Sequence, residues 1–400
     1  MNQELHPTDV VIMGGCGHAG LPLGIALSQS GLRVELYDIN REAIDRVNKG
    51  ELPFMEPGAQ DLLIESRESG TLEATDDRTA IGRADVVVVV IGTPVDKHLN
   101  PDPWAVRKAV REIAPQLQSG QLLVLRSTIY PGVTKLVEEL IAELGLDIDV
   151  AFCPERIAEG KAMTELYELP QIVASRSDRG RERAEKLFRR LTEKIVHMTP
   201  EEAELAKLFT NTWRYIKFAT ANQLYMIANS YGLDFESIRQ GLAEDYPRAQ
   251  DLPRAGFSAG PCLFKDTMQL AAFNNNNFTL GHAAMMVNEG LPMYIVSQLE
   301  KEHELGEMTV GILGMAFKAE SDDVRSSLSY KLKRILRYKA AEVLCTDEYV
   351  TSDLDLHPLD DVLERSDLLI IGAPHRSYAE LETSKPVVDI WNLRGQGVRI

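Results

Sequence analysis

The chain has little of what a membrane span, a secretory leader or a metal framework requires. Its longest apolar run, Val86–Ile91 in a sequence of 400 residues, is far below the ~20 residues a helix needs to cross a bilayer. Met1 to Asp9 is short and polar, so no secretory leader is expected. Cysteine is sparse. The four cysteines, Cys16, Cys153, Cys262 and Cys345, show no CxxC or CxxH spacing. That argues against a zinc site or a disulfide framework and fits a reduced, cytoplasmic setting; no metal is expected. Basic residues are outnumbered, 43 Lys and Arg against 60 Asp and Glu for a formal charge of −17, whereas a nucleic-acid role needs a basic face. The same deficit means that a phosphate-bearing ligand must be held by local donors, because the overall field repels it. The remaining composition, 44% hydrophobic and 26% charged, is that of a globular protein. The length implies two or three domains.

Apolar runs alternate with helical patterns at both ends of the chain. Val10–Met13, Arg33–Tyr37, Asp85–Ile91, Leu122–Leu125 and Ile148–Phe152 read as strands with helices between them. Such β-branched runs indicate a parallel sheet covered on both faces, hence a doubly wound α/β domain. From Thr199 the texture changes. Thr199-Pro200-Glu201-Glu202 offers an N-cap, a proline at the first helical position and a capping-box glutamate. The helical pattern runs to Tyr231, where Gly232 supplies a stop, and a second helical stretch covers 280–305. Strand patterns return at Thr309–Leu313, Glu342–Leu344 and Asp367–Ile371. The expected fold is therefore α/β, two Rossmann-like doubly wound domains joined by a long-helix central domain, with boundaries at 1–199, 200–306 and 307–400 and a cleft between the outer domains. Ala84-Asp85, five valines and Ile91-Gly92-Thr93-Pro94 match Ser366-Asp367 through Gly372-Ala373-Pro374 in pattern.

Gly15-Cys16-Gly17-His18-Ala19-Gly20 is a GxGxxG turn after a strand and before a helix. The first glycine serves the tight turn, the second admits a pyrophosphate and the third lets helix and strand pack closely. Asp38 closes the second strand 18 residues past Gly20, where a carboxylate binds the ribose diol. It would repel a 2′-phosphate, so NAD is favoured over NADP, although Arg41 stands nearby.

Four further segments carry reactive residue types. Gly260-Pro261-Cys262-Leu263-Phe264-Lys265-Asp266 puts a thiol, a cation and a carboxylate on one helical face; near a helix start such a thiol is a nucleophile, and otherwise it is an inert packing residue. Lys207 and Asn211 lie one helical turn apart and suit an oxyanion, or else form a solvated face. Arg126-Ser127-Thr128 and Cys153-Pro154-Glu155-Arg156 each follow a strand, where doubly wound folds place ligands.

In order and spacing, these segments resemble the UDP-glucose/GDP-mannose dehydrogenase family over nearly the whole chain. The carriers are Gly15–Gly20 with Leu21-Pro22-Leu23, Ile91-Gly92-Thr93-Pro94, and Ser127-Thr128 with Pro131-Gly132. They continue with Pro154-Glu155 and Glu159-Gly160, Glu204 through Lys207 to Asn211, Gly260 through Asp266, and Gly314-Met-Ala-Phe317-Lys318 with Asp323-Val324-Arg325-Ser326. The resemblance implies an NAD-dependent nucleotide-sugar 6-dehydrogenase that oxidises a CH2OH group to a carboxylate, acting on a UDP-hexose or UDP-N-acetylhexosamine and working as a homodimer or higher homo-oligomer. It implies Cys262 as the nucleophile that captures an aldehyde, and Lys207 and Asn211 as the oxyanion clamp. Asp266 would direct a water, Glu155 and Thr128 would hold water and reacting sugar, and Lys265 would support the site. Gly15, Gly17, His18, Ala19, Gly20, Asp38, Thr93, Ser127, Glu159 and Arg325 would line the cofactor. Phe317, Lys318 and either Arg248 or Arg254 would meet the sugar nucleotide. Phe257-Ser258-Ala259-Gly260-Pro261 departs from the family's more glycine-rich loop. The alternatives are a GDP-mannose dehydrogenase, a β-hydroxyacid-type dehydrogenase and a non-catalytic nucleotide-sugar-binding protein.

Overall fold

Parity along the valine-rich strands decides how the first half folds, because neighbouring side chains on a strand point to opposite faces. The computed structural model describes residues 8–93, 102, 104–258, 260–398 and 400, and the chain divides into two units, Met1–Phe209 and Thr210–Ile400. Pro94 and Ala259 lie outside the described residues. In the first unit, strands β1 (Thr8–Met13), β2 (Val34–Tyr37), β3 (Leu72–Thr75), β4 (Ala84–Val89), β5 (Leu122–Leu125), β6 (Asp149–Phe152), β7 (Gln171–Ser175) and β8 (Ile195–Met198) alternate with helices α1 (Gly20–Gln29), α2 (Arg41–Asn48), α3 (Gln60–Glu68), α4 (Ala80–Arg83), α5 (Ala105–Ile113), α6 (Val133–Glu143), α7 (Ala162–Glu168) and α8 (Asp178–Phe188). Among the described residues they form an eight-stranded sheet, in the order β3-β2-β1-β4-β5-β6-β7-β8.

The even-numbered residues Ile12, Val88 and Val124 pack on one face with α1, α3 and α8. The odd-numbered Val11, Val87, Leu123 and Leu125 pack on the other with α5 and α6. Each such side chain contributes about 1.5–3 kcal/mol on burial, which pins the register. β1 to β6 are parallel in the strand order of dinucleotide-binding folds. β7 runs antiparallel to β6 and carries β8 parallel to itself.

The long helix α9 (Pro200–Ser230) crosses the division between units. Its capping box forms as the sequence implies: the Thr199 N–H donates to Glu202 at 2.8 Å, and the Glu202 N–H donates to Thr199 Oγ1 at 3.4 Å. Gly232 ends it at φ +67°. The second unit continues with α10 (Phe235–Ala243), α11 (Leu263–Phe273), α12 (Thr279–Glu302), β9 (Thr309–Leu313), α13 (Leu328–Leu336), β10 (Glu342–Thr346), α14 (Leu359–Arg365), β11 (Leu368–Ile371) and β12 (Val387–Val388). Its four strands pair in the order β10-β9-β11-β12, all parallel. β4 and β11, which share a sequence pattern, occupy corresponding places beside the first strand of each sheet. Among the described residues no helix is long and apolar enough to cross a membrane.

Candidate active site

In the first unit the glycine turn after β1 is held by contacts that only glycine permits. Gly14, rather than Gly15, takes the left-handed conformation (φ +77°), and a Cβ there would lie 1.9 Å from the Val90 carbonyl oxygen. Gly15 abuts Leu36, and Gly20 abuts the Gly14 carbonyl, so α1 packs directly on the strand. Gly17 is different: an added Cβ would find its nearest atom at 3.6 Å, which leaves the backbone beside Ala19 and the start of α1 open to a ligand. Asp38 is tied to this turn. One carboxylate oxygen accepts the Cys16 N–H at 3.0 Å, and the other accepts the N–H groups of Ile39 and Asn40. Arg41 bonds to Asp76 at 3.1 Å at the exposed surface.

The loops at the carboxyl ends of the strands gather most of the other expected cofactor residues. His18 Nδ1 lies 2.6 Å from Glu159, and its ring packs on Phe54 at 3.9 Å between centroids. Buried Glu56 accepts the N–H groups of Gly160 and Ala162 and so fixes the Glu159 loop. Thr93 Oγ1 donates to the Thr128 carbonyl at 2.6 Å, and Ser127 Oγ accepts the Ile91 N–H at 2.8 Å. These bonds latch the ends of β4 and β5 together.

Glu155 is held by Arg126, whose side chain is fully buried. The guanidinium reaches Glu155 Oε2 at 2.6 and 2.9 Å, donates to the Cys153 carbonyl and Gln171, and lies 4.8 Å above the Phe188 ring. Glu155 Oε1 accepts the N–H groups of Arg156 and Ile157. On α9, Glu204 is buried and accepts the N–H groups of Gly132 and Thr134 and the Thr134 hydroxyl, capping α6; burial outweighs these bonds and holds its carboxyl above the usual range. Lys207, also buried, follows one turn later, and Asn211 one turn after that.

In the second unit, Asn211 donates to Asp266 at 2.5 Å, and Lys265 Nζ lies 3.4 Å from the same carboxylate, which is fully buried. Cys262 stands at the N-cap of α11, one turn before Asp266. Among the described residues it is the exposed cysteine. Burial, reinforced at Cys16 by the Asp38 carboxylate, pushes the thiols of Cys16 and Cys153 up to about 12 and that of Cys345 to about 11. Only a thiolate attacks an electrophile, so iodoacetamide at pH 8 is expected to alkylate one cysteine of the native protein, found at Cys262 by peptide mass spectrometry. Labelling of a second cysteine at a comparable rate would overturn this account.

The loop leading to Cys262 is set from two sides. Asn222 exchanges both amide bonds with the Gly256 backbone, at 2.9 and 3.0 Å. Gly256 lies flat against Trp391, and Gly260 (φ +107°) lies flat against Phe317, where a Cβ would come within 2.7 Å of the ring. Gly256, Trp391 and Phe317 border a cleft of about 300 Å³ lined also by Arg214, Arg254, Leu263, Lys318 and Pro374. Its aromatic walls and three cations suit a base or sugar bearing phosphates. Arg254 lines this cleft; Arg248 does not, stacking instead on Tyr246 at 4.8 Å beside a second cleft with Trp213 and Lys217. Arg325 folds back onto Asp323, at 2.6 to 2.9 Å. Glu56 and Trp391 carry no expectation from the sequence, and the partners of Arg126 and Glu204 lie far away along the chain.

Residues 9–192 match the NAD binding domain of the UDP-glucose/GDP-mannose dehydrogenase family, 201–290 its central domain and 311–395 its UDP binding domain. The chain belongs to this family. It is 32% identical over 377 residues to the UDP-N-acetyl-D-mannosamine dehydrogenase of Pyrococcus horikoshii, covering 91% of this chain and 89% of that one. With the Escherichia coli protein of the same name, identity is 28% and coverage 91% and 93%. Its fold superposes on a UDP-glucose dehydrogenase from Pyrobaculum islandicum with a TM-score of 0.90 at 25% identity, covering 100% and 98% of the two chains. As a member, it is an NAD-dependent oxidoreductase acting on CH–OH, and its substrate is a nucleotide sugar.

Proposed function

We propose that the enzyme oxidises the C6 hydroxymethyl of a UDP-hexose or UDP-N-acetylhexosamine to a uronate, through a thiohemiacetal and then a thioester on Cys262. The observation that carries this reading is the exposed thiol at the positive end of α11, one turn from the Asn211–Asp266–Lys265 cluster, while the other three thiols are buried. The names of the relatives above favour a UDP-N-acetylhexosamine over GDP-mannose. NAD fits the open backbone at Gly17 and the Asp38 carboxylate, and it supplies the acceptor for two hydrides per sugar. Lys207 and Asn211 stabilise the oxygen that sheds its proton. A free aldehyde cannot give up a hydride, but its adduct with Cys262 can. Asp266 then orients the water that releases the product; in the first unit, Glu155 and Thr128 are assigned to water and reacting sugar, and Ser127, Thr93 and Glu159 to the cofactor. The functional parts follow 1–199, 200–306 and 307–400, in line with the matched domains. A panel of UDP-sugars and GDP-mannose scored for NADH tests the proposal; two NADH per UDP-sugar are expected, and one NADH or none would overturn it.

If Asp38 binds the ribose diol, NAD should be preferred over NADP, and Asp38→Asn should shrink that preference by about 10- to 100-fold, the worth of a charged hydrogen bond. Equal kcat/KM for both cofactors in the unaltered enzyme would remove the assignment. A homodimer or larger assembly is proposed from the apolar face of α9, where Trp213, Leu224 and Ile227 stand exposed at helical spacing, with Tyr231 exposed just past its end. Sedimentation at micromolar concentration should show it, and a fully active monomer would contradict it.

A further inference from the structure

We propose that His375, together with Asp347, is a positioning residue for the nucleotide sugar, pinning both ends of the loop that presents Phe317, Lys318 and Ala319 to the cleft. The inference rests on reading that cleft as the nucleotide-sugar site. After β9 the chain turns at Gly314 (φ +92°) against Ala373 and forms no regular element until α13, so its path must be fixed by other groups. Asp347, just past β10, accepts the N–H groups of Met315 and Ala316 on one oxygen at 2.6 and 2.9 Å. Its other oxygen accepts those of Tyr349 and Val350. That is the first pin.

The second is His375, past β11 and fully buried. Its Nδ1 accepts the Glu320 N–H at 2.9 Å, and its Nε2 lies 3.0 Å from Asp347 Oδ2. With Nδ1 an acceptor, the ring proton belongs on Nε2 and is donated to Asp347. Burial pushes the Asp347 carboxyl up, but the bonds from His375 and Ala316 outweigh it and hold it below the usual range. Glu320 sits at φ +53°, a left-handed conformation that a non-glycine residue keeps only where its surroundings impose it. Its carboxylate receives the Arg376 N–H at 2.9 Å and the Tyr349 hydroxyl at 3.1 Å. Between the two pins stand Phe317, Lys318 and Ala319, and Pro374, beside His375, lines the same cleft.

The imidazole faces the Asp347 carboxylate, a Glu320 oxygen at 4.0 Å and the rings of Tyr349 and Tyr378 at 4.9 and 5.5 Å.

The test compares His375→Leu, His375→Gln and Lys318→Ala with the unaltered enzyme. It reads kcat, KM for UDP-N-acetyl-D-mannosamine and for NAD, and affinity for UDP by calorimetry. His375→Leu should raise the sugar-nucleotide KM and weaken UDP by about 10- to 100-fold, the scale of an ångström-sized misplacement, with kcat and the KM for NAD nearly unchanged. His375→Gln carries both an acceptor and a donor, so it should recover most of the affinity. A folded His375→Leu enzyme with normal UDP affinity, or one that loses NAD and UDP equally, overturns the proposal. If the leucine variant does not fold, Asp347→Asn decides, because an amide cannot accept at both of its ends as this carboxylate does: normal UDP affinity there refutes the pins. Lys318→Ala separates the two levels. If it leaves UDP affinity intact, the cleft reading fails and takes the inference with it; if it weakens UDP while His375→Leu does not, the inference alone fails.

Discussion

Cys262→Ala is expected to lose uronate production by a factor on the order of 100 or more, the scale seen when a covalent nucleophile is removed, while keeping its fold. The side chain is exposed, and substitutions of exposed residues away from special features cost about 0.5 kcal/mol or less. The defect should fall on the second oxidation. In the proposed mechanism alcohol oxidation relies on the oxyanion clamp, and Lys207 and Asn211 remain. Aldehyde oxidation needs a tetrahedral adduct, and the thiol is gone. Trace NADH with an aldehyde trapped by hydroxylamine is the expected signature, against two NADH and no free aldehyde in the unaltered enzyme. Cys262→Ser should stall as an ester, because an alkoxide leaves less readily than a thiolate. Should Cys262→Ala make uronate at a near-normal rate, the covalent route is wrong, and Asp266 and Glu155 must hydrate the aldehyde directly.

Local rules made much of this molecule readable, and long-range pairings hid the rest. The runs that became β1, β2, β4, β5, β6, β9, β10 and β11 are buried strands whose composition alone marks them. The Thr199–Glu202 capping box is a four-residue signal. By contrast, β7 begins at Gln171 directly after Pro170, and β8 is a partly exposed edge of four residues, so neither has a distinctive pattern. Their reversal against β6 is set by pairing that no local window contains. At the turn after β1, the motif was legible but its division of labour was not: Gly14 lies outside GxGxxG, and the Val90 carbonyl just past β4 leaves no room for a Cβ there. Four cysteines were countable, yet the loop leading to Cys262 packs through Gly260 on Phe317, 57 positions later. Arg126 was visible as part of a strand-end triplet, but its partnership with Glu155 closes only when β5 and β6 pair.

That partnership predicts the second large effect. Arg126→Met is expected to destabilise the first unit by about 3–5 kcal/mol, because removing one member of a buried ion pair strands the other. The Arg126 side chain is fully buried and that of Glu155 is 12% exposed, so water cannot replace the guanidinium. The Cys153 carbonyl and Gln171 would lose their donors at the same time. For a unit of this size each kcal/mol shifts the unfolding midpoint by roughly 2–4 °C, which puts the drop at about 6–20 °C. Arg126→Lys should recover only part of it, since an ammonium cannot reach the carboxylate, Cys153 and Gln171 together in the guanidinium's planar fork. The double variant Arg126→Met, Glu155→Gln removes the stranded charge and should be more stable than Arg126→Met alone, although methionine still leaves the Cys153 carbonyl without its donor. Thermal unfolding followed by circular dichroism, with NAD absent, checks the series. A midpoint for Arg126→Met within 2 °C of the unaltered protein would show that Glu155 does not depend on the guanidinium. A double variant no more stable than the single one would place the cost in lost packing against Phe188 rather than in charge.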